Sequence, residues 1–175
     1  YILEGIIDLL GCDHELQIVP RTEIVSALSE NTALALLTHV NYRTGEMFEM
    51  ADLTRSCRSV GVPVVWDLCH SAGAVPLRLN DWDVDYAVGC TYKFLNGGPG
   101  STSYAYISRS ALEGFSPVIT GWFSHANQFG FEEEYRAADS INKIQGGTPQ
   151  VLSLRGAFNG IMSYTDVSME DVRDK

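Results

Sequence analysis

Val62-Pro63-Val64-Val65-Trp66-Asp67-Leu68-Cys69-His70-Ser71-Ala72-Gly73 passes without a break from an apolar run into a carboxylate, a thiol, an imidazole and a hydroxyl. A short apolar run opened by a glycine, here Gly61, reads as a strand from Val62 to Trp66 that is buried on both faces. Just upstream, Met50, Leu53, Cys57 and Val60 recur at steps of 3, 4 and 3, the period of a core-facing helix face. Strand, helix and strand then repeat along the chain. Thr32 to Leu37, Tyr86 to Thr91 and Ser103 to Ile107 are apolar strands, and His14 to Val19 is a shorter candidate. Thr22 caps a helix with Ile24, Ala27 and Leu28 on one face. Val151, Leu154, Phe158 and Ile161 mark a later helix, with Thr148 as its cap and Pro149 at its first position. This alternation predicts an α/β fold in three layers, α/β/α, around a mainly parallel sheet. In such sheets ligands gather at the carboxyl ends of the strands. Three of those ends carry reactive side chains: Thr38-His39-Val40-Asn41, Asp67-Leu68-Cys69-His70-Ser71 and Thr91-Tyr92-Lys93.

Composition narrows the function classes. The 175 residues carry 22 acidic and 12 basic side chains, a formal charge of -10. Phosphate-rich partners need clustered Lys and Arg, so a nucleic-acid surface is excluded. With 45% hydrophobic residues the chain is no acidic disordered tail. No apolar run reaches the length of a membrane span. Cys12, Cys57, Cys69 and Cys90 lack a Cys-x-x-Cys pair, which suits reduced thiols and a cytoplasmic setting. Both ends read as cut. Ile2, Ile6, Leu9 and Leu10 already run at helical spacing up to a stop at Gly11, and Ser168 with Asp171 reads as a helix start seven residues before the end. The expectation is a segment of a longer protein.

Lys93 follows an apolar strand and precedes Phe94-Leu95-Asn96-Gly97-Gly98-Pro99-Gly100. A lysine held against a sheet is costly to keep charged, which frees its neutral amine for Schiff-base chemistry. Read alone, it fits equally a surface lysine beside a flexible turn. A phosphate-cradling P-loop is excluded, because there the lysine closes the glycine loop instead of preceding it. Asp67 at the ligand edge suits a partner for a protonated ring nitrogen, although a turn aspartate has the same look. Lysine and Asp in those two roles are the signature of pyridoxal phosphate enzymes. His70 can support the ring or be a structural histidine.

Asp67 to Val75, Asp85 to Gly100, Thr38 to Gly45 and Gly121-Trp122-Phe123 together resemble the kynureninases, pyridoxal phosphate enzymes of the aspartate-aminotransferase fold, fold type I. The resemblance runs through nearly the whole chain. It implies a homodimer that hydrolyses L-kynurenine, or 3-hydroxykynurenine, to an anthranilate and L-alanine in tryptophan catabolism. By matching position, Lys93 holds the cofactor and moves the α-proton, Asp67 pairs with the ring nitrogen and His70 supports the ring. Tyr92 binds the phosphate and assists proton transfer, and Thr38 supplies a hydroxyl near the ring. Trp122 and Thr148 reach the pocket across the dimer interface. Each has a plainer alternative: packing for Tyr92 and Trp122, a strand end for Thr38, and a helix cap for Thr148. The resemblance also implies that residues 1–165 are part of the cofactor-binding large domain. Residues 166–175 then start a helix toward a small domain, and the segment alone is inactive.

Four rivals remain. A cysteine desulfurase or selenocysteine lyase shares the fold but needs a mobile catalytic cysteine. A hydrolase built on Cys69, His70 and Ser71 suffers because adjacent residues point to opposite faces. A metal site on Asp67, Cys69 and His70 lacks a fourth ligand. A non-catalytic homologue is disfavoured by the intact Asp67, His70, Tyr92 and Lys93.

Overall fold

The computed structural model describes residues 1–11 and 13–175; Cys12, expected as one of four reduced thiols, lies outside them. Helix α1 spans Ile2–Leu10 and stops at Gly11, whose φ of 59° is the left-handed cap expected there. A 3-10 turn at Arg21–Glu23 leads into α2, Ile24–Ala27, and then β1, Ala35–Thr38. Next come α3 (Met50–Ser59), β2 (Val64–Asp67), β3 (Tyr86–Cys90) and β4 (Ser103–Ile107). The chain closes with α4 (Arg109–Gly114), α5 (Val151–Met162) and α6 (Met169–Asp174). Ser168 caps α6 by accepting the Asp171 N–H, as its position predicts.

One sheet has the order β1-β2-β3-β4. β1, β2 and β3 are parallel, and β4 returns antiparallel on β3. The α/β class and the mainly parallel sheet are therefore as expected. Helix α3 is the crossover between β1 and β2, and it lies on the face that carries Ala35, Val64, Trp66 and Ala87. Trp66 is fully buried there, and its indole N–H donates to Thr54 Oγ1 at 3.0 Å. On the opposite face, Leu36 and Val88 remain 45% and 40% exposed.

Local readings shift where hydrogen bonding overrules the apolar pattern. His14 to Val19 is irregular, not a strand, because no strand lies beside it to form a ladder. Thr22 does not cap α2: the turn closed by Glu23 N–H on Pro20 consumes it, and Glu23 becomes the cap residue. β1 starts at Ala35 because Thr32 is bonded into a turn with Ser29. β2 starts at Val64 because the Val62 N–H closes the end of α3 on Cys57 and Pro63 has none to give. It runs on through Asp67, which pairs in register with Thr38 and Val88. Val60 falls past the last turn of α3 and is exposed, and Thr54 takes the inward place instead. Thr148 does not cap α5, since Gln150 is still extended and the helix begins at Val151. Val151, Leu154, Phe158 and Ile161 are exposed, and α5 turns Ala157 and Gly160 inward. Among the described residues no helix is long and apolar enough to cross a membrane.

His39 follows β1 into the core, 3% exposed, edge-on to Trp66 and Trp82 at 6.2 and 6.3 Å between ring centres. Its Nδ1 is buried without a hydrogen-bond partner among the described residues. Burial lowers its pKa to about 4. The unfolded chain takes up this proton below about pH 6.5, the folded chain only below about 4, so stability is full above 6.5 and is lost as pH falls through this window. Urea unfolding at pH 7 and pH 4 is expected to differ by about 3 kcal/mol from this residue, and His39→Phe is expected to remove that part of the slope. Thr54→Val leaves the buried indole N–H without an acceptor. It is expected to cost about 1–3 kcal/mol at an unchanged dependence on urea concentration.

Candidate active site

The parallel register brings the three reactive strand ends to one edge. Thr38 lies beside Asp67 in the ladder, and Asp67 beside Val88, two residues before Cys90 ends β3. Alternation along the strands sets Thr38 and Asp67 on the face away from α3. After Asp67 the chain turns at once: Ser71 and Ala72 N–H groups close on Leu68, and Ala74 and Val75 on Ser71. That turn carries His70 back across the edge to Lys93. Lys93 Nζ stands 3.0 Å from His70 Nε2. With an ammonium on Lys93, which only donates, Nε2 accepts and the imidazole is neutral. Burial, and then the Lys93 charge, hold His70 below its ordinary pKa, with Asp67 opposing.

Asp67 uses Oδ1 to accept the Cys69 N–H at 2.8 Å, which fixes the carboxylate, and the Cys69 thiol is a second hydrogen-bond partner. Thr38 Oγ1 donates to the Val40 carbonyl at 3.0 Å, leaving its oxygen free to accept another bond. The half-exposed Tyr92 ring has Lys93 Nζ 5.3 Å from its centre. The chain has three lysines. Lys143 is buried but donates to the Leu112 and Phe115 carbonyls, each at 3.1 Å. Lys93 alone of the three meets an imidazole.

The fold thus gathers Thr38, Asp67, His70, Tyr92 and Lys93. It does not bring Trp122 or Thr148 to them: no hydrogen bond or ring contact joins either to this cluster among the described residues. Trp122, 48% exposed, packs edge-on against Phe123 and Phe129 and lines a separate open cleft of about 690 Å³ with Gly121, His125, Phe131 and Tyr135.

Three neighbours escaped the sequence reading. The Tyr42 ring tilts against His70 at 5.9 Å, held by a turn in which Asn41 Oδ1 accepts the Arg43 N–H. Tyr104, from β4, lies over its register partner Gly89, where a Cβ would stand 2.3 Å from the phenol oxygen. That oxygen is buried without a partner among the described residues, and burial, with Cys69, Cys90 and Asp67 nearby, raises its pKa to about 12. Tyr164 touches the loop after Lys93 from beyond α5. The only advance signals were a glycine in mid-strand at Gly89 and an aromatic in the Asn41 turn.

Cys57 and Cys69 are held as thiols. Burial, then hydrogen bonding to Asp67 and Cys90, raises the Cys69 thiol to about 12, and burial raises Cys57 as well. A nucleophilic cysteine needs the opposite shift. Asp67, Cys69 and His70 also form no metal-binding group. Iodoacetamide at pH 8 is expected to alkylate Cys69 more slowly than a free thiol by two to three orders of magnitude, on the order of its lost thiolate fraction; mass spectrometry of timed digests reads the rate.

The aminotransferase class-V family model matches residues 7–175. Kynureninases of Pseudomonas fluorescens and Burkholderia mallei (strain SAVP1) are 39% and 38% identical over the whole chain. The chain spans 42% of the length of each. Among solved structures, a C-DES variant with glycine covalently linked to its PLP cofactor superposes with a TM-score of 0.80 at 20% identity, over 99% of this chain and 48% of that one. A cysteine desulfurase from Escherichia coli gives 0.73 at 20% identity, over 85% and 36%. At such identities the likeness concerns the fold alone.

Proposed function

The chain belongs to the aminotransferase class-V family, and on that premise we propose that it supplies the cofactor-binding side of a pyridoxal phosphate-dependent enzyme hydrolysing L-kynurenine, or its 3-hydroxy derivative, to the corresponding anthranilate and L-alanine. The observation that carries this reading is Lys93 Nζ at 3.0 Å from His70 Nε2, at the sheet edge that also carries Asp67. This donor set fits pyridoxal phosphate: an amine for its aldehyde, a carboxylate for its ring nitrogen, an imidazole beside the ring and phenol and threonine hydroxyls for its polar rim.

When bound, the cofactor supplies an electron sink for the pair left at the substrate α-carbon. Lys93 would hold it through its amine and, with that amine's free pair, would accept and return the α-proton of the substrate. Neutral His70 receives a hydrogen bond from the amine and steadies it, which a protonated imidazole would oppose. The Asp67 carboxylate, fixed by the Cys69 N–H on Oδ1, would keep a proton on the ring nitrogen. Tyr92 would bind the phosphate and pass a proton to the β-carbon, which stays with alanine once water has added to the side-chain ketone and the bond to the anthranilate acyl carbon has broken, and Thr38 Oγ1 would bond near the ring. Trp122 and Thr148, apart from Lys93 within one chain, act from the second copy of a homodimer. Residues 1–165 belong to the large domain and 166–175 lead toward a small one; the enzyme works in the cytoplasm, and the 175 residues alone turn over little or no substrate.

Incubation with pyridoxal phosphate, borohydride reduction and peptide mass spectrometry test the reading. The adduct is expected on Lys93 and lost in Lys93→Ala, with Lys143 unlabelled. In a version extended to the length of the relatives, Asp67→Asn is expected to lower kcat for L-kynurenine on the order of 100-fold or more while leaving the adduct in place. No adduct at Lys93 in either form would overturn the assignment.

A further inference from the structure

Gly156, Gly160 and Tyr164 recur at every fourth residue, so α5 and the turn that follows it present all three on one face. That face lies on the backbone just after Lys93. A Cβ on Gly160 would stand 2.4 Å from the Leu95 carbonyl oxygen and 2.5 Å from the Asn96 carbonyl carbon, and one on Gly156 would stand 3.1 Å from the Gly97 oxygen. Only glycine permits so close an approach of helix and loop. The loop it meets is wound tightly, with Asn96 N–H on the Lys93 carbonyl at 3.1 Å and Gly97 N–H on the Thr91 carbonyl at 2.8 Å.

Tyr164 closes the contact. Its hydroxyl donates to the Phe94 carbonyl and lies 3.2 Å from the Gly73 carbonyl. No other hydrogen bond to either oxygen occurs among the described residues. The two carbonyl segments are themselves in close contact: Gly73, at φ 85°, would put a Cβ 2.4 Å from the Phe94 oxygen. Phe94 directly follows Lys93, and Gly73 lies three residues beyond His70. One phenol therefore joins the two backbones whose side chains meet at the Lys93–His70 contact. Without its proton, both carbonyl oxygens lose the hydrogen-bond partner they share.

We infer that Tyr164 is a positioning residue: its hydroxyl, backed by the Gly156–Gly160 face of α5, sets the approach of the Lys93 amine to His70. The inference rests on the cofactor reading only for what the amine then does.

Competitive acetylation by acetic anhydride at pH 8 reads the Lys93 amine without cofactor, with Lys175 as internal standard. Tyr164→Phe keeps the ring and removes the hydroxyl; Gly160→Ala keeps the hydroxyl and pushes the loop. Each is expected to change the Lys93 rate relative to Lys175 about threefold or more and to speed amide exchange at Asn96 and Gly97, with a melting temperature near wild type for Tyr164→Phe and a lowered one for Gly160→Ala, whose Cβ meets backbone. Ser163→Ala, which removes the Asn96 Nδ2 contact with Ser163 Oγ at 3.3 Å and that hydroxyl's own bond to the Gly160 carbonyl at 2.6 Å, is expected to leave the Lys93 rate unchanged. Slower pyridoxal phosphate adduct formation is expected in the first two variants alone. If Tyr164→Phe does not fold, Gly160→Ala decides. A folded variant of either kind with wild-type acetylation and exchange overturns the clamp. Wild-type Lys93 that acetylates but never takes the pyridoxal adduct sinks the cofactor reading and leaves the clamp to be judged on acetylation.

Discussion

Everything at the site depends on three strands running parallel and ending together. Parallel hydrogen bonding leaves each strand's carboxyl end open, and residues just past it are released from the ladder while still anchored by it. Thr38 and Asp67 are neighbours for that reason alone, though 29 positions separate them. The buried Trp66–Thr54 bond sets the crossover helix against β2, so the strand that delivers Asp67 is held from beneath by one side-chain contact. Antiparallel β4 completes the edge from the other direction and brings the Tyr104 phenol up against Gly89.

The electrostatics of this edge are those of a partly desolvated place in a strongly acidic protein. His39 and His70 are both held neutral, and the Cys69 thiol and Tyr104 phenol are both held protonated. Burial is the leading cause in all four. The consequence is a setting with little competing charge, in which the Lys93 ammonium meets a neutral acceptor and the Asp67 carboxylate is the negative partner nearby. Such an arrangement suits chemistry that moves a proton through an amine more than chemistry that begins with a thiolate.

Hydrophobic periodicity predicted elements better than it predicted their partners. Residues 151, 154, 158 and 161 did mark a helix, but the face that packs in this chain is the one with Ala157 and Gly160. The reason is steric: the loop after Lys93 comes too close for any side chain, so the contact selects glycine and alanine and leaves the large apolar residues outside. A pattern that weighs hydrophobicity alone ranks such a face last. The same blindness hid Thr54, a polar residue on an inward helix face whose hydroxyl satisfies the one buried N–H beside it.

By itself, the sequence determined the alternation of strand and helix, the helix stop at Gly11, the helix start at Ser168, and the three reactive strand ends with Asp67, His70 and Lys93 among them. These are local properties, written in period, capping and turn chemistry, and each is legible within a dozen residues. Only the tertiary structure decided where strands begin, because a strand exists only where a neighbour pairs with it; His14 to Val19 has none. It alone decided that Lys93 meets His70 and that Tyr164 joins Phe94 to Gly73, contacts that span 23, 70 and 91 positions. It also set Trp122 and Thr148 apart from the rest. Distances across the chain are fixed by packing, and no local pattern carries them.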